Sequence, residues 1–130
     1  MAVDLARIVE HADKQGQLHS EKVRKHLIFT DGVIGGEGDG PLSPSPVHMG
    51  LVGFSDNVVL GDYLNCLSMG YTPESIPMIR EALKLEEYAL ASADAVRTPV
   101  RLNGQEVTVG EYRKRFSRKF RPPSEWVASL

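Results

Sequence analysis

The sequence predicts an α/β domain, with a small, mostly parallel or mixed sheet flanked by helices and a C-terminal hairpin and helix. Three observations carry that expectation. Leu5, Ile8, Val9 and Ala12 recur at i, i+3, i+4 and i+7, the period of an amphipathic helix. Two runs rich in Leu, Ile, Phe and Val, His26 to Ile34 and His48 to Phe54, have the length and composition of strands. A stretch that is apolar nearly all round, Val58 to Met69, follows them as a buried helix would. Helical and extended segments that alternate in this way belong to the α/β class.

The first helix should start near Asp4 and stop by Gly16. The first strand runs into a glycine-rich loop that continues through Pro41-Leu-Ser-Pro-Ser-Pro46, where three prolines forbid regular pairing. Asn57 has the side chain of an N-cap for the buried helix, and Gly70 can end it. Thr72-Pro73 restarts a helix, with Ile76, Ile79 and Leu83 as its inward stripe and Pro77 giving it a ragged start. The alanine-rich stretch from Glu86 to Ala95 could continue that helix. Val100–Leu102, Asn103-Gly104 and Glu106–Thr108 predict a hairpin with a type I′ turn. Thr108 and Glu111 have capping-box spacing, and Val107 with Tyr112 has staple spacing, so a last helix starts there.

Composition narrows the function. A chain of 130 residues with 42% hydrophobic and 25% charged content fits one globular domain, residues 1–130. A net charge of −2 predicts no general affinity for nucleic acid or membrane. The single Cys66 rules out an internal disulfide and any self-contained four-cysteine zinc or iron–sulphur site. No apolar run is long enough to span a bilayer and the N-terminus lacks a signal-peptide pattern, so the expected location is cytoplasmic.

The candidate site is the segment Asp31-Gly-Val-Ile-Gly-Gly-Glu-Gly-Asp-Gly-Pro41, in which five of eleven residues are glycine and three are acidic. Glycine lets another group approach the backbone, and carboxylates offer hard oxygen ligands or proton-transfer groups. Asp31, Glu37 and Asp39, joined by Asp62, are therefore candidate ligands for a divalent cation, and Asp31, Glu37 and Asp62 candidate catalytic groups. Alternatively, the N–H groups between Gly35 and Gly40, through Gly36 and Gly38, could cradle a small anionic metabolite. His48, which begins the next strand, would lie beside it. In the plainer reading, Asp31 caps a turn and Asp62 satisfies backbone groups inside the fold.

An ordered series of motifs points to a family. The loop is followed by Gly50-Leu-Val, Asn57-Val-Val-Leu-Gly-Asp62, Met69-Gly-Tyr-Thr-Pro73 and Ile76-Pro77. This series resembles the bacterial and archaeal family catalogued as domain of unknown function 362. That family's pattern is an Asp-Gly-Ile strand, a Glu-Gly-Asn-Gly-Pro loop and an Asn-Pro-Val-Ala-x-Asp helix start leading into Met-Gly. The resemblance extends from Asp4-Leu through Arg24-Lys25 to an aromatic terminus at Phe120 to Trp126. Asp39, Val58 and Gly61 depart from the pattern, standing where the family has Asn, Pro and a larger apolar residue.

The chain resembles only the C-terminal half of the larger family domain, which implies a sheet with an open edge. Such an edge is covered by another chain: a second copy in a homo-oligomer, or a separately encoded N-terminal half. The resemblance further implies redox or biosynthetic chemistry, with an iron–sulphur module supplied elsewhere. The alternative is a non-catalytic assembly or partner-docking domain, whose loop is structural and whose basic C-terminal helix docks the partner.

The remaining candidates are weaker. His11, His19, His26 and His48 include no i, i+4 pair, so a histidine metal site is not expected. Cys66 reads as a core residue, and Ser43 and Ser45 as turn residues. Arg113 to Arg121 holds six basic residues in nine, with Phe116 and Phe120 at i, i+4. It reads as a solvated helix with an aromatic anchor, or as a docking surface for an acidic partner, a phosphorylated substrate or RNA.

Overall fold

A computed structural model describes residues 1–92, 94–116 and 118–127. Among them are five helices and two small antiparallel sheets of two strands each. The mostly parallel or mixed sheet expected from the sequence is not formed, since both sheets are antiparallel, and chain length explains why. The long strands β1 (Ile28–Glu37) and β2 (Ser45–Ser55) are joined only by residues 38–44, whereas a parallel crossover needs a dozen or more. Asn103 and Gly104, at φ +50° and +83°, make the I′-like turn between β3 (Val100–Leu102) and β4 (Gln105–Val107).

In the β1–β2 ladder Ile28 pairs with Ser55, Phe29 with Phe54 and Asp31 with Val52. The register shifts between Gly32 and Ile34, so that β2 carries one residue more than β1 there. Gly50 takes up the surplus at φ +63°, a conformation glycine adopts without steric cost. The Asp31 carboxylate accepts the Val33 N–H at 3.2 Å at this bulge.

The helix α2 (Val58–Ser68) covers one face of the long hairpin. Asn57 caps it as expected, its side chain accepting from the Leu60 N–H at 3.0 Å while its amide nitrogen donates to the Leu90 carbonyl at 2.8 Å. Gly61 allows the closest approach: a Cβ there would meet Ser55 at 3.4 Å and Ile28 at 3.8 Å. Asn65 donates to Thr30 from the next turn.

On its other sides α2 meets α1 (Ala2–His11) and α3 (Pro77–Leu83), around Val59, Ala82, Leu90 and Ala91. A second cluster, of Tyr63, Cys66, Leu67, Ile79 and Tyr112, joins α2 to α4 (Val109–Arg115) and gathers in Val100, Leu102 and Val107 of the short hairpin. The Thr108–Glu111 capping box opens α4.

Several expected boundaries move. The first helix ends at His11, where the chain turns back and Ala12 bridges to Leu18. The helix expected at Thr72 splits at Pro77 into a 3₁₀ turn, Pro73–Ser75, and α3. It stops at Leu83 rather than running on through Glu86 to Ala95, with Tyr88 at φ +51° in the irregular segment; Ala93 lies outside the described residues.

The basic run is not one helix either. It leaves α4 at Phe116, with Ser117 outside the described residues, and Phe120 lies in an irregular segment that leads to α5 (Ser124–Val127). No described helix is long and apolar enough to cross a membrane.

Candidate functional site

The tip of the long hairpin is held by the chain's own C-terminal segment. Glu37 accepts the Arg121 backbone N–H and pairs with the Arg118 guanidinium, both at 3.0 Å. The Gly38 N–H donates to the Arg121 carbonyl at 2.8 Å. Gly38 sits at φ +82° and a Cβ would come within 3.1 Å of the Arg121 guanidinium, so this approach depends on glycine. Asp39 accepts from both the backbone N–H and the hydroxyl of Ser124, at 2.8 and 2.9 Å. Gly40, Gly36 and Gly35 complete the tip, Gly35 against the Phe120 ring.

Phe120 anchors this strap. It is buried, its N–H donates to Met69 and its carbonyl accepts from the Tyr71 hydroxyl. The Arg121 N–H bond, then the nearby Arg118 and Arg121 charges, holds the Glu37 carboxyl below its ordinary value of 4.5. The bonds from Ser124 do the same for Asp39, below 3.8.

The four candidate carboxylates therefore occupy three places. Glu37 and Asp39 bind the strap. Asp31 stands exposed in the row of Phe29 and Val52, on the face of the hairpin away from α2. Asp62 lines a cavity of about 200 Å³ among Val3, Ala6, Val58, Met78 and Leu90, between α1, α2 and α3. Burial there raises its pKa above 3.8. Among the described residues, no group of three or more His, Cys, Asp or Glu side chains is placed to hold a metal ion.

His48 borders a different cavity, of about 170 Å³, that it shares with Ser68, Arg115, Phe116 and Arg118. Cys66 is buried, as expected of a core residue, and burial pushes its thiol up to about 11.

The feature that motif reading passed over is the outer face of the long hairpin. Leu27 is 74% exposed, Phe29 58%, Val52 51% and Phe54 69%. The rings of Phe29 and Phe54 pair across the ladder, tilted at 55° with centroids 5.1 Å apart. Leu27 and Phe54 also line a cleft of about 360 Å³, which runs to Leu60, Leu64, Pro99 and Val100. A signal for this was present: Ile28 and Phe29 are adjacent, so β1 carries apolar side chains on both faces, the mark of a strand buried on both sides. Compared with family models, curated proteins and solved structures, the chain matches none.

Proposed function

We propose that this chain is an assembly domain whose long hairpin is completed by another polypeptide. The carrying observation is the bare row Leu27, Phe29, Val52 and Phe54. A two-stranded ribbon is marginal in water unless its apolar face is packed, and here one face has α2 and the other has solvent. Removing the exposed part of each large side chain from water contributes roughly 1–2 kcal/mol. Both long strands also keep one unpaired edge among the described residues, which favours pairing with a further strand.

A photo-cross-linking residue in place of Phe29 tests this in the cells that produce the protein. Adducts from position 29, and none from the fully exposed loop residue Leu42, are expected. No adduct from position 29 overturns the assembly role.

A small anion has a second candidate place, away from the Gly35–Gly40 amides. Arg115, Arg118 and His48 line the 170 Å³ cavity beneath the strap, and Arg115 makes no ion pair among the described residues. An anion of phosphate size would add charge-assisted bonds there. Inorganic phosphate should raise the melting temperature of the wild type and not of Arg115→Gln; equal shifts in both would remove this reading.

A further inference from the structure

We infer that the polypeptide covering the hairpin is a second copy of this chain, which presents the outward face of its helix α1. The inference rests on the assembly role and adds the identity of the occupant. Among the described residues the chain carries two exposed apolar faces. One is the sheet row just described. The other is the stripe Leu5, Ile8 and Val9, at i, i+3 and i+4 on α1, with Leu5 57% and Ile8 52% exposed. Val3 and Ala6, on the opposite side of the same helix, pack into the core.

Charge decides which arrangement of copies fits. Asp31 stands in the outer row between Phe29 and Val33. A two-fold axis passing beside Asp31 would set it against its own copy in a desolvated contact, and like charges there are costly. Face-to-face pairing centred on that rung is disfavoured for that reason.

The α1 stripe has Asp4 at its start, paired with the N-terminal amine, and a cation at its end. Arg24 donates through Nη1 to the carbonyls of Val9 and Ala12, at 2.7 and 2.6 Å, which fixes its guanidinium beside the end of the stripe. Among the described residues Arg24 makes no ion pair. A helix laid on the ribbon can therefore bury Leu5, Ile8 and Val9 against Phe29, Val52 and Phe54 while Arg24 meets Asp31.

The lengths agree. The stripe from Leu5 to Val9 rises about 6 Å along α1, and the rungs Phe29–Phe54 and Asp31–Val52 lie about 7 Å apart. The two patches differ, so the contact is heterologous: copies add head to tail and end in a ring or an open chain.

Two single-face variants provide the test, because both substituted side chains are exposed and the fold does not depend on them. Phe54→Glu removes the sheet face and Ile8→Glu the helix face. Each variant alone is expected to sediment at the monomer mass of 14.3 kDa. An equimolar mixture should give a dimer and nothing larger, since each dimer joins the one intact face of either partner. In a second arm, Asp31→Arg should weaken association at least tenfold, and adding Arg24→Glu to the same chain should restore it.

A mixture that stays monomeric, or an Ile8→Glu variant that assembles like the wild type, overturns the inference. So does a charge pair that fails to recover. If position 29 cross-links to a different polypeptide, the assembly role stands and the second copy is excluded as its occupant.

Discussion

The two hairpins of this protein are built on the same antiparallel principle and end in opposite situations. The short one, β3–β4, has three residues in each strand, and its apolar side chains Val100, Leu102 and Val107 pack against Tyr112 and α4. Its turn, its neighbouring capping box and its anchor all lie within about a dozen residues of chain. The long hairpin, β1–β2, is held at its tip by the distant strap and on one face by α2. Phe29 and Phe54 on its other face stay 58% and 69% exposed, their rings 5.1 Å apart. Strand length is therefore a poor guide to self-sufficiency: the shorter ribbon is complete, while the longer one displays the surface of an unfinished layer.

Truncation at the two hairpins should sharpen this contrast most. Tyr112 is 4% exposed at the centre of the cluster that anchors the short hairpin. Tyr112→Ala should lower unfolding stability by roughly 3–5 kcal/mol in a denaturant titration. Phe54→Ala, a comparable loss of ring on the bare face, should cost the monomer less than about 1 kcal/mol while weakening association at least tenfold. Equal destabilisation by the two would erase the distinction between a finished and an unfinished hairpin.

The strap at the tip of the long hairpin gives the next effect. Glu37 and Asp39 have depressed pKa values in the folded chain because they accept bonds from Arg121 and Ser124. Their contribution is complete above the ordinary values of 4.5 and 3.8 and is lost as pH falls through the lower, folded ones. On acidification the Gly38 and Arg121 amides should exchange with solvent before those of β3–β4. Glu37→Gln with Asp39→Asn should abolish that pH dependence. Simultaneous release of both hairpins would contradict the local character of the strap.

The smallest effect is expected at Asp62. Burial raises its pKa, so its charged form opposes folding and any stability it contributes is lost as pH rises through the raised value. Asp62→Asn should therefore melt higher than the wild type near neutral pH, and the gap should shrink on acidification. A variant that melts lower at neutral pH would mean that the carboxylate serves the fold.

Local chemistry was legible in the sequence. Asn57 caps α2, Asn103-Gly104 turns the short hairpin and Thr108 with Glu111 opens α4, each decided by residues a few positions apart. The long-range pairings were not legible. Five glycines and three carboxylates lying together suggest a ligand loop. Their partners, Arg118, Arg121 and Ser124, are more than eighty residues away, and no local pattern announces that pairing. Spacing puts Phe120 on a helical face with Phe116, yet its burial against Gly35 takes it into an irregular strap instead. The alternation of elements suggests a mostly parallel or mixed sheet. A connection of seven residues between β1 and β2 cannot make the crossover that parallel pairing needs.

Sedimentation equilibrium of the wild-type chain over a range of concentrations tests the central claim most directly. The mass should rise above 14.3 kDa with concentration, and Phe54→Glu should return it to the monomer with the fold intact. A wild-type chain that keeps the monomer mass at every concentration would contradict self-assembly through the bare face of the long hairpin.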